Sequence, residues 1–199
     1  MTSAITARAA TADEYDAVVD LCATAFADEA VTAWALSDPA RRDALLRESF
    51  RDSLRAALEA DAVILALDAA ESPIGVSIWV PVPDTGPSDG DPEDGEPPAQ
   101  ETATRRLRAV ERATAARTPR LPHLHLVSMA VLPEQRGRGA GHALIEAGIA
   151  RARELGLPLY LEASTPANRA LYLRHGFSAH GEPIRLIENG PTLQPMWRN

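Results

Sequence analysis

The order of elements that the sequence predicts is that of a mixed α/β sheet, and two observations carry that expectation. Short apolar strands both precede and follow the helices, and one strand-helix-strand crossover spans residues 123–163. The chain has 199 residues, 45% of them hydrophobic and 24% charged, and no internal repeat, so a single domain over residues 1–199 with a sizeable core is expected.

Taken in order, residues 5–9 form a short strand, and Thr11 with Glu14 makes a capping box that starts a helix running to about Ala27. Asp38 as N-cap and Pro39 at the first helical position open the next helix. Leu45, Leu46, Phe50, Leu54 and Leu58 lie along it as one apolar stripe at helical spacing. Residues 63–67 and 74–80 read as consecutive strands joined by a turn at residues 68–73. Residues 81–98 hold six prolines, three glycines and six acids with scarcely an apolar side chain, the composition of a solvated, disordered loop. An arginine-rich helix over residues 104–117 is broken at Thr118-Pro119, and a strand over residues 123–131 follows. Leu144, Ile145, Gly148, Ile149, Ala152 and Leu155 mark the buried face of a helix that ends near Gly156. Residues 159–163 are another strand, Thr165-Pro166 caps a short helix that stops at Gly176, and residues 193–198 are the last strand.

Composition removes several chemistries. All 20 basic residues are arginines, so neither a P-loop lysine nor a Schiff-base amine is available. The single cysteine, Cys22, allows no internal disulfide and no CxxC metal site, and its place on a helix core face makes it a small buried hydrophobe. Acids arrive early, at Asp13, Glu14 and Asp16, and no apolar run is long enough to span a bilayer, so the expectation is a cytoplasmic protein without a membrane partner. The net charge of -8 is uneven: residues 101–199 carry 14 arginines against 8 acids, while residues 1–100 carry 20 acids against 6 arginines. A basic C-terminal half suits an anionic cofactor and an acidic N-terminal half a cationic acceptor. Nucleic acid is not an expected partner at this overall sign; monomer and homodimer both stay open.

The most informative stretch follows the strand at 123–131. Arg136, Gly137, Arg138, Gly139, Ala140 and Gly141 form a glycine-punctuated turn that opens directly onto a helix. Alternate glycines let main-chain N–H groups turn toward a ligand, the helix start adds partial positive charge, and the arginines add full charges. A diphosphate fits that set.

These residues, with the strand ending in Leu161-Glu162 and the segment running from Asn168 through Tyr172 to Phe177, resemble the core of the GNAT superfamily of acyl-CoA-dependent N-acetyltransferases. The superfamily's [RQ]-x-x-G-x-[GA] signature matches at Arg136, Gly139 and Gly141, and the similarity covers about residues 123–177. The phrases Ala25-Phe26-Ala27-Asp28 and Leu161-Glu162-Ala163-Ser164-Thr165-Pro166-Ala167-Asn168 are similar to those of the puromycin N-acetyltransferases within it. The resemblance implies a mostly antiparallel sheet with a central splayed parallel strand pair flanked by helices, and acetyl-CoA lying in the splay. It implies pyrophosphate on the amides of residues 136–141 and pantetheine on strand amides at Met129, Ala130 and Val131, with Asn168 on the cofactor side and no metal. It further implies an amine acceptor, a small molecule that an aminonucleoside-type antibiotic would satisfy; a cationic metabolite or a peptide N-terminus also fits.

Tyr172 matches the position of the superfamily's tyrosine acid, and it shares a helix face with Asn168 four residues back. A phenol with a pKa of about 10 giving its proton fully to a thiolate of about 8.5 works uphill by roughly 2 kcal/mol, so a hydrogen bond to the forming thiolate is the safer role. Packing on the sheet is the alternative. Glu162 is the single acid in an apolar strand, placed either in solvent at the strand end or facing a site, where it takes the amine's proton directly or through water, or holds the cation. His123 and His125 share one strand face. No third ligand accompanies them at metal spacing, so they pack or line the acceptor site, with His125 as a reserve base. Phe26, Trp34 and Trp79 are candidates for an acceptor pocket.

Two other classes compete. A dinucleotide-binding oxidoreductase shares the strand, glycine turn and helix, but the glycines at 137, 139 and 141 have the wrong spacing, and about 58 residues remain after Gly141, too few for a doubly wound sheet. A non-catalytic acyl-CoA-binding or regulatory module is the second, and the presence of both Glu162 and Tyr172 speaks against it.

Overall fold

The computed structural model describes residues 5–84 and 102–199. The first half comprises β1 (Thr6–Ala9), α1 (Tyr15–Phe26), α2 (Ala30–Ala35), α3 (Pro39–Glu59), β2 (Val63–Leu67) and β3 (Pro73–Val82). The second comprises α4 (Thr102–Ala115), β4 (His123–Val131), α5 (Ala140–Leu155), β5 (Leu159–Ala163), α6 (Pro166–Arg174), β6 (Ser178–Ala179), β7 (Ile184–Arg185) and β8 (Thr192–Arg198).

Cap chemistry sets most of the helix starts. The Thr11 N–H donates to the Glu14 carboxylate at 2.8 Å, and this box shapes a 3-10 turn, Ala12–Glu14, from which α1 continues. Asp38 accepts from the Ala40 N–H at 3.0 Å with Pro39 in the first turn of α3, as the sequence predicts. The apolar stripe of α3 buries Leu46, Leu54 and Leu58 and half-buries Leu45 and Phe50. The α2 helix is an addition to the expected order, because its cap is Glu29, whose carboxylate accepts from Val31 and Thr32 N–H groups at 2.8 and 3.1 Å. The short strands β6 and β7 are also additions. Strand β3 runs on through Pro81 and Val82, so the proline-rich stretch expected as a loop over 81–98 begins inside a strand, and its residues 85–98 lie outside the described residues.

Among the described residues the strands join one sheet in the order β1-β2-β3-β4-β5-β8-β6, with β7 on β8. Every pairing is antiparallel except β4 with β5. This is the expected mixed α/β architecture with a mostly antiparallel sheet, and a doubly wound parallel sheet, which the oxidoreductase alternative needs, is ruled out. One core fills the α5 side of the sheet, with Leu144, Ile145 and Ile149 against Ile64, Leu124 and Leu159. The other lies under α1 and α3, with Val18, Cys22, Leu54 and Leu58 against Leu65 and Val76.

Trp79 belongs to the first of these cores, contrary to its expected place in a pocket. It is 0% exposed, its indole N–H donates to Ser77 Oγ at 3.0 Å, and its ring occupies the space where a Cβ on Gly148 would stand, 2.1 Å from the nearest ring carbon. The absence of a side chain at Gly148 is therefore what lets α5 lie on the sheet. Cys22 is fully buried as expected, and burial pushes its thiol up to about 12, outside the range of a nucleophile. None of the described helices is long and apolar enough to cross a membrane.

Candidate active site

The parallel ladder between β4 and β5 is short, pairing Leu124, His125 and Leu126 with Leu159, Tyr160 and Leu161. Beyond it the two strands no longer pair with each other, though β4 stays on β3 and β5 on β8, and the cause lies on the other edge of β4. Ile78 of β3 pairs with Ser128 while Trp79 pairs with Leu126, so Val127 is a bulge, left unpaired and 53% exposed. A bulge bends its strand and increases local twist, which here carries β4 away from β5. Two cavities meet at the opening, one of about 670 Å³ and one of about 620 Å³, and Glu29, Met129 and Asn168 line both.

The larger cavity is walled by the glycine loop. A 3-10 turn, Pro133–Gln135, delivers the chain to Gly137 at φ 76° and Gly139 at φ 105°, left-handed conformations that other residues adopt only at a cost. The α5 helix then starts at Ala140, so the first amides of the helix have no partner four residues back and are available to an anion. Strand alternation supplies more donors. The Leu132 N–H bonds Ile74 O at 3.0 Å, which turns the N–H groups of Val131 and Met129 to the opposite, open edge of β4. Residues 129–131 and, from the loop, Arg136, Gly137, Gly139, Ala140 and Gly141 all line this cavity.

The charge of Arg136 is already engaged. Its guanidinium makes a two-pronged pair with Asp28, both bonds 2.6 Å, and its Nε donates to Val131 O at 3.1 Å. The pair holds the Asp28 carboxyl below its ordinary range. Arg138 donates to Gln135 Oε1 at 2.8 Å. The structure thus places both arginines at the loop, with Arg136 tying it to the end of α1. Asp28 itself lines the cavity, a neighbour 108 residues away in sequence that no local pattern announces.

The smaller cavity holds the candidate chemistry. Glu162 projects from β5 with only 10% of its side chain exposed; its Oε2 bonds His125 Nε2 at 2.9 Å, while Oε1 is buried with no hydrogen-bond partner. Tyr172 and Asn168, on one face of α6 as the spacing predicts, line the same cavity. Thr165 caps α6 by accepting from the Asn168 N–H at 3.1 Å, which fixes that face, and Asn168 Nδ2 donates to Ser164 Oγ at 3.3 Å. Burial, and then the charge of Glu29, raises the pKa of Tyr172, so its phenol stays protonated. Phe26, Leu36, Leu45, Phe50 and Leu107 give the cavity an apolar wall. Among the described residues its ionisable lining consists of Glu29, Glu48, Asp52, Glu162 and Tyr172, without an arginine or histidine.

His123 and His125 do share a face, their ring centroids 6.0 Å apart, and pack with Tyr160 and Trp197 behind Glu162. Burial lowers the pKa of His123, which keeps it neutral. Of the three aromatic residues expected in an acceptor pocket, Phe26 lines the cavity; Trp34 instead stacks under the Arg106 guanidinium at 5.2 Å and packs against Gly190. Glu29 and Ser164 line the cavity without having been singled out from sequence.

The model of the acetyltransferase (GNAT) family matches residues 28–177. The chain belongs to the GNAT acetyltransferase family. Solved GNAT folds superpose over nearly the whole chain. A structure described as histone acetyltransferase HPA2 and related acetyltransferase, from Corynebacterium glutamicum, is 27% identical with a TM-score of 0.70, covering 98% of this chain and 95% of the other. Arylalkylamine N-acetyltransferase 2 from Aedes aegypti is 18% identical with a TM-score of 0.72 and covers 98% of each chain. The paia N-acetyltransferase of Thermoplasma acidophilum, solved in complex with coenzyme A, is 10% identical with a TM-score of 0.60, covering 96% of this chain and 98% of the other. GNAT enzymes use acetyl-CoA, and the protein is an enzyme of this acetyltransferase class.

Proposed function

We propose that the protein transfers the acetyl group of acetyl-CoA to the primary amine of a small molecule with an apolar body, by direct attack in a ternary complex. The observation that carries this reading is Glu162 Oε1, a buried carboxylate oxygen without a partner on a residue that lines the smaller cavity. A buried acceptor left unpaired is costly, and an amine or ammonium N–H entering from the cavity is the donor that would satisfy it. The two cavities meeting at Met129 and Asn168 give donor and acceptor separate approaches to one point.

In this reading the larger cavity takes acetyl-CoA, with the pyrophosphate on the amides of the glycine loop and the pantetheine along Met129 and Val131. Glu162, its second oxygen fixed by His125, holds the amine and takes its proton directly or through a water. The amine nitrogen attacks the thioester carbonyl carbon, the C–S bond breaks, and CoA leaves as a thiolate that ends protonated; the products are an N-acetyl amide and a free thiol. Tyr172 donates a hydrogen bond to the sulfur as charge forms. Its raised pKa favours that role over complete proton transfer.

The apolar wall with four carboxylates suits a cation on a hydrophobic body. Arylalkylamines, the substrates named for the Aedes aegypti neighbour, have that pattern, and so has the aminonucleoside-type antibiotic that the sequence resemblance suggests. Thiol release from acetyl-CoA over a panel of arylalkylamines, diamines, an aminonucleoside and peptide N-termini tests the reading. Turnover is expected with apolar-bodied primary amines, and Tyr172→Phe should lower kcat by about tenfold or more with both KM values little changed. Tight CoA binding without thiol release from any amine would overturn the proposal in favour of a binding module.

A further inference from the structure

His142 and Glu146 stand four residues apart on α5, so their side chains share one face. His175, the C-cap residue of α6, reaches that face from the neighbouring helix. Its ring is wedged between the two, with Nδ1 2.7 Å from Glu146 Oε1 and Nε2 3.1 Å from His142 Nδ1, and only 6% of its side chain is exposed. An ionised carboxylate only accepts, so the His175 proton sits on Nδ1 and donates to Glu146, which leaves Nε2 with its lone pair directed at His142. A carboxylate orients a metal-binding imidazole in this same way.

The spacing of the two nitrogens carries the argument further. Ligands bonded to one ion at about 2.0–2.1 Å lie about 2.9–3.4 Å apart when they occupy neighbouring positions of an octahedral or tetrahedral shell. The 3.1 Å between His142 Nδ1 and His175 Nε2 falls within that window without any movement of the backbone. We propose that His142 Nδ1 and His175 Nε2 bind a divalent transition-metal ion such as Zn²⁺ or Ni²⁺, with Glu146 orienting His175 from behind and solvent filling the remaining positions. Imidazole nitrogen selects this class of ion over Mg²⁺ and Ca²⁺, which prefer all-oxygen shells. The ion ties α5 to α6 beside the larger cavity, which His142 lines. The site is separate from His123 and His125, the pair for which the sequence offers no third ligand.

Untagged, chelator-stripped protein titrated with Zn²⁺ and with Ni²⁺ by calorimetry, with the melting temperature as a second readout, tests the proposal. One saturable equivalent per chain and a rise in Tm are expected. His142→Gln, at an exposed position, should weaken binding at least tenfold while leaving the metal-free Tm near the parent's, and Glu146→Gln should weaken it about 10- to 100-fold. His180→Gln, outside the cluster, should bind as the parent does. Absence of a saturable equivalent, or His142→Gln and Glu146→Gln both binding as tightly as the parent, overturns the proposal and leaves the cluster as a hydrogen-bonded link between two helices.

Discussion

Most of the wall of the larger cavity comes from one stretch of chain, residues 129–142, and its candidate donors are main-chain amides. The wall of the smaller cavity is gathered from α1, α2, α3, α4, β4, β5, α6 and β8, and its chemistry resides in side chains, Glu162 and Tyr172 foremost. The difference separates two kinds of evolutionary freedom. A backbone site depends on conformation and tolerates side-chain change wherever the glycines stay, whereas a side-chain site can be rewritten one residue at a time. In the proposed reaction the first takes the invariant donor and the second the amine that varies from enzyme to enzyme.

Variants on the two sides should therefore fail differently. Glu162→Gln should lower kcat/KM for the amine by about a hundredfold or more and leave the KM for acetyl-CoA unchanged; a rise in the latter would show that the two sides are not separable. Gly139→Ala places a Cβ on a residue at φ 105°, a cost of about 1–2 kcal/mol, so the KM for acetyl-CoA should rise about tenfold in steady-state kinetics with the amine KM little altered. An unchanged cofactor KM would mean that the loop conformation is not what binds the diphosphate. Asp28→Asn frees Arg136 from an exposed pair worth less than about 1 kcal/mol, and the KM for acetyl-CoA should fall a few-fold, most visibly at low salt. If it rises, the Asp28 pair serves to position the arginine and does not compete with phosphate.

The smallest effect is expected away from both cavities. The hydrogen bond from Arg8 chiefly holds Glu14 down at about 2. A depressed carboxylate stabilises the fold above its ordinary pKa of about 4.5, and that contribution is lost as pH falls toward about 2. Since Arg8 is 44% exposed, the contribution is below about 1 kcal/mol. Glu14→Gln should lower Tm at neutral pH by about 2–4 °C at most and flatten the acid limb of the melting profile without moving either KM.

The same contrast explains what could be read in the sequence. Gly137, Gly139 and the start of α5 are legible because a glycine turn into a helix is a local pattern, and the face shared by Asn168 and Tyr172 follows from helical spacing alone. The pairing of Arg136 with Asp28 is illegible, since the two lie 108 residues apart and either could as well face water. Trp79 in a strand has the same signature whether it faces a pocket or a core; only Gly148, a missing side chain on a buried helix face, records where its ring goes. The α2 helix escapes notice because it has six residues and a glutamate cap instead of the more common serine, threonine or aspartate.

One unpaired residue in β4 is an insertion that the strand absorbs without changing which side of the sheet its later residues serve. Before Val127 the even-numbered Leu124 and Leu126 belong to the α5 core; after it the odd-numbered Met129 and Val131 pack on that core, and Ala130 joins the other. The numbering changes parity in mid-course, much as a reading frame shifts at an inserted base, while the faces keep their phase. Substitutions at Val127 leave that phase intact, and so would removal of the residue, since Leu126 and Ser128 would then alternate regularly against Trp79 and Ile78; what the strand would lose is the bend that parts it from β5.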